Sequence, residues 1–165
     1  MITVRESETH FFFYRHEFGQ WTKRVITDRH GLTYNCCEQY MMFQKAMLFR
    51  DEVTAEKIMT EPNPRLQQRY GREVRDFSIP VWEQHRFQIV LEGNLYKFNQ
   101  HQDLQALLLA TGDKVLVEGS PVDRIWGVGL GCDDDEILDP SNWKGQNLLG
   151  KVLMSVRFSL LLSRT

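Results

Sequence analysis

Glu38 and Lys45 are the two charges in the run Asn-Cys-Cys-Glu-Gln-Tyr-Met-Met-Phe-Gln-Lys-Ala-Met-Leu-Phe over residues 35–49. A carboxylate can stabilise developing positive charge or pass a proton, and a lysine freed of its proton by burial is a nucleophile. Glu38, Met42, Lys45 and Phe49 follow at steps of four, three and four, so on a helix they share one side. Two turns separate the charges, roughly 10 Å along the axis. That is too far for an ordinary i,i+4 ion pair but close enough for both to reach a ligand between them. Spacing alone leaves a second reading open, in which both charges face water on an amphipathic helix.

The helix itself is predicted from composition. Asn35 is suited to cap it, and no Gly, Pro or β-branched residue follows before Phe49. Tyr40, Phe43 and Met47 form a second, apolar stripe. Other residue types invite chemistry with less specificity. Arg65, Arg69 and Arg72 make a basic helix face, either solvated or a phosphate grip. Trp82 and Trp126 offer flat surfaces for a base, although large aromatics are also ordinary core. The glycines of 119–131 resemble a phosphate cradle, but no helix start or Gly-Lys-Ser/Thr follows, which argues against Rossmann or P-loop binding. Asp133 to Glu136 lack the alternating spacing of a calcium loop. His10, His16 and His30 share no ligand spacing and are expected in solvated turns, so no metal and no cofactor is expected.

The remaining elements follow in order. Strands are expected over 11–14, 21–26 and 32–34, as a small antiparallel sheet with a turn at 27–31. Helices are expected over 51–60, 64–72, 80–99, 103–110 and 148–162, with a strand over 115–117 that ends at Glu118. In the 80–99 helix Trp82, Arg86, Ile89, Gly93 and Tyr96 recur near helical period, Val90 and Leu91 broaden the apolar face, and Gly93 suggests close packing. Leu149, Val152, Leu153, Val156 and Leu160 form a core stripe on the last helix. The result is a mainly α fold with a small β element.

The whole chain narrows the class. Its 165 residues, 42% hydrophobic and 25% charged, fit one soluble domain over 1–165, and no linker or repeat divides it. A formal charge of −2 argues against broad, non-specific nucleic-acid binding. Cys36, Cys37 and Cys132 are too few for a disulfide framework. With no signal-peptide pattern and no membrane-length apolar run, a reducing, cytoplasmic setting is expected, with no membrane partner.

Taken together, the chain resembles the NADAR superfamily, which includes the YbiA-type N-glycosidases. The resemblance spans a core of about 11–157. It rests on Glu38-Gln39-Tyr40 with Lys45, Gly71-Arg72, Trp82 with Arg86, Lys97-Phe98, Leu108, Thr111-Gly112 and Val117-Glu118. The loop Asp123-Arg124-Ile125-Trp126-Gly127-Val128-Gly129-Leu130 and the stretch Trp143 to Gly150 complete it. Where the family commonly has Phe-Ser-Asn and an aromatic, this chain has Phe18-Gly19-Gln20-Trp21.

The resemblance implies a single-domain YbiA-like fold and cleavage of an N-glycosidic bond on a ribose. The implied substrates are ADP-ribose on guanine in nucleic acid, or the phosphorylated ribosylamino-pyrimidines of riboflavin biosynthesis. Cleavage builds positive charge on the ribose, which Glu38 would stabilise while Asp123, or less well Glu118, protonates the leaving nitrogen. Lys45 would orient Glu38 or attack C1 of the opened sugar. Trp126, Trp82, Gly127, Arg72, Tyr40 and Asn147 are the implied substrate-binding residues. The alternative is a non-catalytic module that binds ADP-ribose or a nucleotide, with Arg69 and Arg72 on phosphate. Glu38 and Lys45 together favour the enzyme.

Overall fold

The computed structural model describes residues 1–164. In chain order the elements are β1 (Val4–Glu6), β2 (His10–Phe13), β3 (Ile26–Thr27), β4 (Thr33–Tyr34), α1 (Cys37–Leu48), α2 (Glu52–Thr60), α3 (Pro64–Arg72), α4 (Ile79–Gln100), α5 (Gln102–Leu109), β5 (Val115–Glu118) and α6 (Leu148–Leu162). Two 3-10 turns, Asp135–Leu138 and Pro140–Asn142, precede α6. The fold is mainly helical with a small β element, as the sequence predicts. The chain forms two compact units, Gln20–Gln100 and the pair of segments Met1–Gly19 and His101–Thr165. Among the described residues no helix is long and apolar enough to cross a membrane.

In the unit Gln20–Gln100, α1 is the central element, packed by α2, α3, α4 and β4. Bare backbone on two neighbours lets them approach. A Cβ at Gly71 of α3 would collide with the Met42 thioether, and one at Gly93 of α4 would lie 2.7 Å from the Tyr40 ring. Gly93 thus marks close packing, as expected. The expected cap does not form: Cys36 occupies the N-cap position without a side-chain capping bond. Asn35 instead donates to Pro62 O at 2.9 Å and accepts from Gln67 Nε2 at 3.0 Å, so its amide is spent on the α2–α3 connection.

The α4 stripe is also shifted. Its buried residues are Val90, Gly93, Asn94, Lys97 and Phe98, of which Val90 and Gly93 belong to the predicted face. Apolar periodicity missed this because two of the buried positions are polar. Trp21 to Val25 form no strand, and β3 with β4 is a separate two-stranded pair.

In the other unit, β2 lies between β1 and β5, antiparallel to the first and parallel to the second. The single antiparallel sheet expected from 11–34 is therefore not formed, because the aromatic strand finds partners far away in sequence. A central strand is covered on both faces, which explains three successive buried phenylalanines. Phe12 packs with Val117, Val128, Leu130, Cys132 and Ile137, while Phe11 and Phe13 meet Phe18. His16 lies edge-on to Phe18 and His10 stacks on Phe12, so neither is the solvated turn histidine expected. The α6 stripe is buried as predicted. Arg157, also buried, donates to Thr111 Oγ1 at 2.7 Å and to Lys114 O at 2.9 Å.

Candidate functional site

The stripe carrying the charges on α1 goes inside. Glu38 is 2% exposed, Met42 5% and Lys45 9%, whereas Met47 of the apolar stripe is 42% exposed. The solvated reading of the two charges is thus overturned. Gln20 O accepts from the Glu38 backbone N–H at 2.9 Å, which fixes the start of the stripe.

At its other end the Lys45 ammonium lies 4.4 Å from the Phe77 ring centroid and 5.4 Å from that of Trp82. Phe49 packs edge-on against Phe77 at 5.3 Å, so the segment after α3 and the first turn of α4 wall the amine with rings. Aromatic faces attract a cation. Burial nevertheless lowers the Lys45 pKa, Glu38 works against that, and the Arg72 guanidinium adds to the lowering. Among the described residues Lys45 has no carboxylate within ion-pair distance. A buried amine held this way has a larger neutral fraction than a surface lysine, which nucleophilic attack requires.

Arg72 is exposed and donates to Gln68 Oε1 at 3.3 Å, so it is available near Lys45. Arg69 is drawn to Glu73 at 3.7 Å, and Lys57 shares that carboxylate at 3.4 Å. The basic face is therefore partly neutralised. Arg86, on α4 one turn beyond Trp82, is largely covered and approaches Glu83 at 3.8 Å.

One predicted member leaves this group. The Tyr40 ring is buried edge-on to Tyr34 at 5.1 Å and to Tyr96 at 5.8 Å. Burial first, and then Glu92, raise its hydroxyl pKa. Tyr40 is a core residue, onto which bare backbone at Gly93 lets α4 close.

Asp123, Trp126, Gly127 and Asn147 belong to the other unit, where they build one loop. Asp123 Oδ1 accepts from the backbone N–H groups of Ile125 and Trp126, both at 2.8 Å. Gly127 is hemmed in: a Cβ there would lie 3.0 Å from Asp123 O, Glu118 O and the Ser120 Cβ. Asn147 adopts a left-handed conformation at φ 53 before α6. Its Oδ1 accepts from Glu118 N at 3.0 Å and its Nδ2 donates to Leu116 O at 2.9 Å, joining α6 to β5. Each of these residues has a defined structural job. Trp126 and Asp123 remain partly exposed.

Sequence reasoning missed Phe77, which sits in a loop and has no periodicity to betray it. It also missed Asn94, and it did not foresee that Gln20 and Lys97, which stand in the family comparison, are buried with it. The cysteines are thiols: burial pushes Cys36 up to about 12 and Cys37 up to about 11, so neither is a nucleophile at neutral pH. Two cavities in this unit lie elsewhere. One of about 270 Å³ is lined by residues including Tyr34, Asn35, Gln39 and Glu61, and one of about 80 Å³ by Asp28, Tyr40, Glu92 and Tyr96 among others. Neither is lined by Glu38 or Lys45.

The fold is similar to that of the Escherichia coli protein YbiA solved by NMR, with a TM-score of 0.78 and 30% identity over 99% of this chain and 91% of that one. In sequence the chain is 44% identical over 147 residues to an N-glycosidase of Acanthamoeba polyphaga mimivirus, covering 86% of each. It is 34% identical over 150 residues to the N-glycosidase YbiA of Escherichia coli K12, covering 89% of this chain and 81% of the relative. Fold and relatives define the class: the protein is an enzyme, a hydrolase acting on N-glycosyl compounds. The NADAR domain matches residues 5–161, through both compact units, and the chain belongs to that family.

Proposed function

We propose that the enzyme hydrolyses the bond between a ribose and a base in a phosphorylated ribosyl substrate, with Glu38 and Lys45 as its catalytic residues. ADP-ribose on guanine and the ribosylamino-pyrimidine phosphates of riboflavin biosynthesis are the two candidate substrates. The observation that carries this reading is the burial of an acid and an amine on one stripe of α1, with the amine beneath Phe77 and Trp82. Burying an amine among rings, with no carboxylate at ion-pair distance among the described residues, lowers stability, and functional sites are where such arrangements concentrate.

The chemistry follows from the residue types. As the C1–N bond weakens, positive charge grows on the ribose, and the Glu38 carboxylate stabilises it. The ring opens as the C1–O4 bond breaks and O4 takes a proton, which leaves C1 doubly bonded to the base nitrogen, and the neutral Lys45 amine attacks that carbon. An Nζ–C1 bond forms, the C1–N bond to the base breaks, and the departing nitrogen takes a proton. The amine supplies that proton, because Nζ sheds its protons as the C1=Nζ imine forms. Water then hydrolyses the C1=Nζ imine, which returns the amine and releases the sugar aldehyde, so one water is consumed per turnover. Trp82 stacks on the base and Arg72 holds phosphate. The reaction draws on no metal or cofactor, and the setting proposed is cytoplasmic.

The test is a side-by-side assay of the full chain on ADP-ribosylated guanine in DNA and on the ribosylamino-pyrimidine phosphates, with mass detection of base and sugar. Release of both products from one of them is expected. Tight binding of ADP-ribose without release of base from any of them would instead make the protein a binding module.

A further inference from the structure

Gln20 is 9% exposed, and its backbone is tied to the first turn of α1 through the Glu38 N–H bond. Its side-chain amide is oriented by its neighbours. Asn94 Nδ2 donates to Gln20 Oε1 at 2.8 Å and to Val90 O at 2.9 Å, while Asn94 Oδ1 faces the Cys37 thiol at 3.9 Å. Asn94 therefore presents its nitrogen, so Gln20 must present its oxygen to it. That leaves Gln20 Nε2 directed elsewhere, buried and with no acceptor among the described residues. Buried amide donors are nearly always satisfied, and one left over calls for a specific partner.

The position of that donor suggests the partner. It belongs to the residue bonded to Glu38, the carboxylate read above as facing C1 of the sugar. The hydroxyl adjacent to C1 is the one on C2, and its oxygen can accept a hydrogen bond that a 2-deoxy sugar cannot. We propose that Gln20 Nε2 donates to the 2-hydroxyl oxygen of the ribose and selects ribosyl over 2-deoxyribosyl substrates. This rests on the reading of Glu38 given above.

Binding of ribose 5-phosphate and 2-deoxyribose 5-phosphate to the full chain, measured by calorimetry, tests it. Gln20→Glu keeps an oxygen for Asn94 and removes the donor. Gln20→Met removes both and keeps the volume. The wild type is expected to bind the ribose form about tenfold more tightly, as one hydrogen bond commonly allows. Each variant should bind the two sugars alike, at the wild type's affinity for the deoxy sugar. A wild type with no preference, or a folded variant that keeps it, overturns the inference. A purely structural Gln20 would lower the melting temperature of both variants and leave the preference intact. Base release by the wild type is followed separately: its absence, with the ribose preference present, sinks the glycosidase reading and not this one.

Discussion

Lys45 and Asp51 are two buried charges six residues apart, and the fold treats them in opposite ways. Asp51, 1% exposed, caps α2 by accepting from Thr54 N at 3.1 Å and Thr54 Oγ1 at 2.7 Å. It also accepts from Arg75 N at 2.9 Å and Arg75 Nη2 at 3.1 Å. These bonds, that from the Arg75 backbone foremost, hold its carboxyl well below the usual carboxylate range. Lys45 has rings for neighbours, no ion pair among the described residues, and a pKa moved toward neutrality. A charge that the fold satisfies completely serves stability. The one that it buries without such bonds is the one the proposed function assigns to the reaction.

The sharpest way to break this contrast is to remove each charge and ask what is lost. Lys45→Ala and Glu38→Gln should each cut kcat/KM by about a thousandfold or more, as loss of a nucleophile or of charge stabilisation does. The melting temperature of Lys45→Ala should stay near or above the wild type's. Asp51→Ala should do the reverse, with kcat near normal and stability lower by about 1–2 kcal/mol for the lost cap. That is a drop in Tm of about 3–6 °C for a chain of this size. The Asp51 effect is pH-dependent with a fixed sign. A carboxylate whose folded pKa is depressed contributes stability above its unfolded pKa, near 3.9, and loses it as pH falls toward the folded value. The Tm gap between wild type and Asp51→Ala should therefore narrow below about pH 4.

A smaller effect tests the packing that holds α1 in place. In an exposed helix Gly→Ala stabilises by about 1 kcal/mol. At Gly93 the added methyl meets a Tyr40 ring already wedged between Tyr34 and Tyr96. Gly93→Ala should destabilise, read as a lower urea midpoint at unchanged slope. The smallest effect is on pH dependence. Arg72 depresses the Lys45 pKa, so Arg72→Gln should raise it and move the acid limb of the pH–rate profile to higher pH. An unmoved limb would mean that Lys45 ionisation does not govern the rate.

Much of the fold was legible, and where it was not the reason is physical. Helices α2, α3 and α6 have strong local signals: Pro64 at the first helical position, the Asp51 cap, and a regular apolar stripe on α6. The pairing of β2 with β1 and β5 depends on partners far off in sequence, which local alternation does not encode. The inward side of α4 escaped because Asn94 and Lys97 are buried there. In the candidate site the Glu38–Lys45 stripe came from spacing alone. Its orientation did not, since an acid and an amine on a helix look the same facing water or facing inward. Tyr40 was placed at the ligand because a family block contains it, and only packing showed that its ring is core.

The central claim is that Lys45 acts as a neutral amine and becomes covalently joined to the sugar. Borohydride added during turnover, followed by peptide mass mapping, tests it most directly. The account predicts irreversible inactivation and a reduced sugar adduct on the peptide that contains Lys45, absent from Lys45→Ala. Unhindered turnover in borohydride with no adduct on that peptide would contradict it.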